Sequence, residues 1–145
     1  MANFWYNEAK RALAQGELNL VTDDLRVILV MSSTSADTEL HKNFITEFTT
    51  LGEYDGTGYA RGQIANLGIT EDAGNDRAEI DGDDQVFASL GVGALQCTGA
   101  IVYKHVTNDA DSVPIAFFDT GGFPFDGTGS NVTIQWNNQG ILQIA

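Results

Sequence analysis

From Glu17 onward this chain is turned too often for long helices, and that constrains its fold more than any other feature. Short apolar or alternating runs are bounded by Gly, Asp, Asn, Ser and Thr, with turn signals about every ten residues, the rhythm of an all-β domain. Residues 25–31 (LRVILVM) form a near-continuous apolar run, as expected of a central strand buried on both faces. Residues 100–106 are the strongest run of the second half. Weaker runs occupy residues 17–20, 59–69, 76–81 and 85–90, and three more close the chain at residues 113–121, 131–136 and 141–145. The last of these is read as a strand that finishes at the terminus and leaves no tail for targeting.

Residues 2–15 read as the one convincing helix, rich in Ala, Leu, Glu, Lys and Arg. Trp5, Ala9, Ala12 and Leu13 fall at helical spacing, Gly16 stands where a terminating glycine belongs, and Lys10 and Arg11 lie toward the negative end of the helix dipole. Phe44, Ile45, Phe48 and Leu51 fit either a helical turn or two or an irregular loop pinned by aromatics. With roughly seven to nine short strands and no alternating βαβ pattern, the expected fold is all-β and mainly antiparallel. It is a β-sandwich or jelly-roll-like barrel with one N-terminal helix: a single domain, residues 1–145, in which helix 1–16 packs on or beside the sandwich 17–145.

The chain's 145 residues, 43% of them hydrophobic, suit one domain with one core. The sole cysteine, Cys97, excludes an intrachain disulfide and reads as a buried structural thiol within a strand. Seven basic residues against twenty acidic ones give a net charge of −13, which repels phosphate backbones and anionic membrane surfaces and disfavours nucleic-acid binding. No window of eighteen apolar residues spans a membrane, and no secretory leader opens the chain, so synthesis in a cytoplasm is expected.

Candidate chemistry is sparse. Gly56-Thr57-Gly58-Tyr59-Ala60-Arg61-Gly62 has glycine spacing one residue too long for a dinucleotide loop and leads into a strand, where that loop requires a helix N-terminus. Asp72-Ala73-Gly74-Asn75-Asp76 and Asp81-Gly82-Asp83-Asp84 are dense in the oxygen donors that calcium prefers. Neither fits the EF-hand pattern, and acidic turns capped by their own side chains explain both equally well. His41 and His105, with one cysteine, make no zinc spacing, and no Gly-x-Ser-x-Gly elbow occurs. Asn131-Val132-Thr133 fits a glycosylation sequon but reads as strand. No catalytic, cofactor-binding or metal-ligating residue is assigned, no cofactor is expected, and the chain is not expected to be an enzyme.

Five segments, in order, carry a resemblance. They are Tyr6-Asn7-Glu8-Ala9-Lys10-Arg11-Ala12-Leu13 with Gly16; Leu18-Asn19-Leu20 followed by Asp24-Leu25-Arg26-Val27-Ile28-Leu29-Val30; Gly56-Thr57-Gly58-Tyr59-Ala60; Asn75-Asp76-Arg77-Ala78-Glu79 with Asp81-Gly82-Asp83-Asp84; and Asn131-Val132-Thr133-Ile134-Gln135-Trp136 with Gly140-Ile141-Leu142. Together they resemble the small capsid decoration, or cement, proteins of tailed bacteriophages. The resemblance implies a β-sandwich or jelly-roll module on the outer capsid surface of a virion, made in the bacterial host cytoplasm. It implies a dimer or trimer that bridges subunits of the major capsid protein, with no nucleic-acid or membrane partner. A tail- or head-fibre-associated carbohydrate-binding module is the alternative. Phe4, Trp5 and Tyr6, together with Gly121-Gly122-Phe123-Pro124-Phe125, are the first places to look for a contact surface, because exposed aromatics anchor interfaces.

Overall fold

The computed structural model describes residues 3–145. It is mostly antiparallel β-sheet with one short helix. The largest sheet has five strands in the order β1 (Phe4–Trp5), β8 (Val113–Phe118), β7 (Cys97–Lys104), β2 (Leu25–Met31) and β3 (Gly62–Gln63). A three-stranded sheet orders β10 (Leu142–Ile144), β5 (Arg77–Asp81) and β4 (Gly68–Asp72), and a two-stranded ribbon pairs β6 (Gln85–Leu90) with β9 (Ser130–Ile134). None of these described sheets closes into a barrel.

The apolar run of β2 is explained by burial on both sides. Val27 and Leu29 share one core with Val102 of β7, Ile80 of β5, Phe87 of β6 and Leu142 of β10, so this cluster joins all three sheets. Ile28 and Val30 face a second cluster with Ile101, Tyr103 and Phe117, covered by Ala36, Ile45 and Phe48 from the irregular segment between β2 and β3. That segment contains only a 3-10 turn, Ile45–Glu47, so the pinned-loop alternative describes it better than a helix.

The helix α1 is shorter than the sequence pattern suggests, spanning Asn7–Ala14. Residue 2, the expected start, lies outside the described residues. Phe4 and Trp5 are instead an edge strand, paired with Phe117 and Ala116 of β8. Here period two wins over helical spacing: Phe4 stacks on Phe117 at 5.5 Å and meets Tyr6 edge-on, while Trp5 packs toward the first core. Tyr6 is fully buried and its hydroxyl donates to the Ala36 carbonyl at 2.7 Å, so the helix begins after that anchor. At the other end Gly16, at φ +74°, ends the helix as expected. Its N–H bonds Leu13 O and the Glu17 N–H bonds Ala12 O, the paired bonds of a Schellman cap.

Residues 17–20 are not a strand. Leu18 and Leu20 are buried, which accounts for the alternation, but Asn19 and Asp23 satisfy the local backbone in place of a ladder. Asn19 Oδ1 accepts the N–H groups of Val21 and Thr22, and Asp23 Oδ2 accepts the Asn19 N–H. Trp136 likewise lies beyond the end of β9, not within it.

Cys97 opens β7 and is fully buried, and burial pushes its thiol up to about 12. A thiolate-selective reagent at neutral pH is therefore expected to label the native protein only as fast as it unfolds. Labelling at the rate of a free thiol would contradict this placement.

Candidate functional site

In the acidic turns the Asp72, Asp83 and Asp84 carboxylates bond to neighbouring groups of the chain. Asp72 Oδ2 accepts from Asn75 Nδ2 at 2.6 Å and faces Arg77 at 3.3 Å, and Asp83 Oδ2 accepts from Asn66 Nδ2 at 2.7 Å. Asp84 Oδ1 takes the Trp136 backbone N–H, while the Asp83 carbonyl takes the indole N–H at 3.0 Å. Among the described residues no three His, Cys, Asp or Glu side chains gather as metal ligands. His41 is exposed in the segment after β2; His105 follows β7, edge-on to Tyr103. The Gly56–Gly62 stretch is a turn, closed by the Tyr59 N–H on Gly56 O, that leads into β3 as its sequence suggests. Asn131 of the sequon sits in β9, where its Oδ1 accepts the Ser89 N–H.

A partly buried charge cluster centres on Arg61. The Arg61 guanidinium bridges Glu53 at 2.7 Å and Asp109 at 2.5 Å and lies over the Tyr103 ring at 5.4 Å. Its hydrogen bonds, first to Glu53, hold Arg61 above its ordinary range, and its bond to Asp109 holds that carboxyl low. Both carboxylates are occupied by one cation, so neither is placed to take a proton from a substrate.

One face of the molecule carries a groove of about 850 Å³. Its floor includes Ala116 and Phe118, alternate residues on one face of β8, together with Trp136, which is only 8% exposed and tilts against Phe118 at 5.6 Å. One rim is the loop after β8, where Phe123 stacks on Phe125 at 5.7 Å and a cis peptide joins Phe123 to Pro124. Further lining comes from β9, β10 and the segment between them, with the amides of Asn131, Gln135, Asn137 and Gln143. Its charged lining residues are engaged elsewhere: Arg77 with Glu79 at 2.8 Å, and Asp126 with Gln96 at 3.1 Å. The volume falls within the range of small-molecule and peptide sites. The chemistry on offer is aromatic stacking and amide hydrogen bonding.

Both contact segments expected from the sequence meet here in part. Phe4, Trp5, Gly121, Gly122, Phe123 and Phe125 line the groove; Tyr6 is buried on the other face of the sheet and Pro124 is not among the lining residues. Sequence reasoning missed the contribution of β9 and β10. The available signal was the concentration of Asn and Gln after residue 130, more than turns alone require.

The sequence matches no family profile, and no curated protein or solved structure is detectably similar to it.

Proposed function

We propose that this chain is a structural virion protein that binds the outside of a tailed-phage capsid and stabilises the shell by bridging subunits of the major capsid protein. One observation carries the reading. The groove is lined mainly by aromatics and amides, with its Arg77 ion-paired to Glu79 and its Asp126 hydrogen-bonded to Gln96, which suits docking. The ordered motifs that resemble decoration proteins give the docking its setting. In this reading the five-stranded sheet and the two smaller sheets form an open β-sandwich of jelly-roll kind, and the protein performs no catalysis.

Mass action supplies the mechanism: copies that bind only the expanded shell stabilise it in proportion to their occupancy. The net charge of −13 keeps a high-copy protein soluble and away from free DNA. Copies associate as a dimer or trimer at a symmetry axis of the shell, where the arrangement of capsid subunits offsets their mutual repulsion.

Phe123→Ser tests the groove. Phe123 is partly exposed, so the substitution is expected to weaken binding to purified capsids at least tenfold, about 1.4 kcal/mol, while the unfolding temperature reports the separate loss of its stacking on Phe125. Unchanged binding would remove the groove from the interface. The amide-rich side also suits a sugar, which keeps a fibre-associated carbohydrate-binding module as the second reading. Binding to host-surface glycans with no binding to capsids would select it.

A further inference from the structure

We infer that the groove is a receptor for an extended polypeptide segment of the partner, taken up as an added β-strand along the unpaired edge of β9. The inference rests on the docking reading of the groove and specifies what docks.

Periodicity carries the argument. A strand that presents a face to a cavity lines it with every second residue; a strand that presents its edge lines it with consecutive residues. β8 behaves in the first way, with Ala116 and Phe118 but not the intervening Phe117. β9 behaves in the second, since its four consecutive residues Asn131, Val132, Thr133 and Ile134 all line the groove. Leu142 and Gln143 of β10, and Phe4 and Trp5 of β1, repeat the edge pattern. The pairing agrees: β1 bonds only β8, β9 only β6 and β10 only β5 among the described strands, so each has one unpaired edge. Three open edges therefore border one concavity.

A strand bonded on one side directs alternate N–H and C=O groups outward, and such an edge templates another chain. The five residues of β9 offer about 17 Å of edge, enough for a short extended segment. Backbone bonds would supply affinity, while the aromatic floor at Phe118 and Trp136 would receive every second side chain. Charge selects the occupant's source. A second copy would bring another −13 into contact, whereas a segment of a different protein flanked by Lys or Arg complements the acidic molecule and the Asp126 carboxylate of the groove, which is met by the neutral Gln96 amide.

The test is amide hydrogen exchange on the intact protein with two probes: purified capsids, and a synthetic peptide of alternating valine and threonine with lysine at both ends. The expected result is exchange slowed at least tenfold at alternate amides of β9, with smaller effects in β10, in the presence of either probe. Capsid binding with no such protection, and none with the peptide, would overturn the added strand while leaving decoration intact. Protection by the peptide with no binding to capsids would keep the strand receptor and sink the decoration reading. If neither probe acts and an oligosaccharide perturbs the groove, the inference fails in favour of a sugar ligand.

Discussion

Replacing Tyr54 by phenylalanine is expected to lower the unfolding free energy by about 2–4 kcal/mol, although it removes only one oxygen. The Tyr54 hydroxyl donates to Gly91 O at 2.8 Å and accepts the N–H groups of Gly93 at 2.9 Å and Gly127 at 3.1 Å. One buried hydroxyl thus satisfies three backbone groups from two other segments, and its loss strands all three. The packing leaves little space for water to substitute. A Cβ built on Gly127 would lie 2.0 Å from Gly91 O, and one on Gly56 would lie 2.2 Å from the same atom, so backbone rather than a mobile side chain blocks both. Gly127→Ala should therefore cost at least as much as Tyr54→Phe. Denaturant unfolding measures the loss, and exchange at the Gly93 and Gly127 amides should accelerate beyond what the global change explains. A loss below about 1 kcal/mol would mean that the knot can relax or hydrate. Because Phe125 and Asp126 precede Gly127, the variant should also loosen the groove rim.

Arg61→Met is the second large effect, and it depends on pH. The substitution keeps the aliphatic stem but leaves Glu53 and Asp109, each only partly exposed, without their shared cation. A fully buried pair broken this way costs about 3–5 kcal/mol; with solvent screening at side chains near one-third exposed, about 2–3 kcal/mol is expected at neutral pH. The Asp109 carboxyl is depressed, first by its hydrogen bond to Arg61. Its contribution is therefore fully present above the unfolded carboxylate value, about 3.9, and disappears as pH falls through the lower folded value. Unfolding curves of the two proteins should separate most above pH ~5 and converge toward pH ~2. A difference that persisted unchanged into acid would assign the loss to packing against Tyr103. Glu39 adds a parallel acid dependence: hydrogen bonds from Thr49 and then Ser35 lower it to about 2, so the segment over the second core should loosen last on acidification.

Runs bounded by turn residues were the most legible in the sequence, whether buried on both faces like β2 or half-exposed like β6. Residues 25–31 and 85–90 coincide with β2 and β6, and the Gly16 stop is where the sequence puts it. Phe4 and Trp5 were misread because an aromatic pair before an alanine-rich stretch extends a helical pattern, while the strand that claims them, β8, lies more than a hundred residues away. Leu18 and Leu20 show alternation produced by burial without pairing. The closing strands expose a deeper limit. β8, β9 and β10 follow one another in sequence, yet each joins a different sheet, and nothing local to their residues encodes that choice. The candidate site divides in the same way. Aromatics among glycines at residues 121–125 were visible as a contact loop, whereas the open edges of β9 and β10 consist of partners that are missing, a property of the assembled fold alone.

The most direct test of the proposed role is a cryo-EM reconstruction of the intact virion at side-chain resolution. The account predicts density for this chain on the capsid exterior, bridging shell subunits, with an extended capsid segment against β9. Density confined to the tail, or none on the particle, would contradict it.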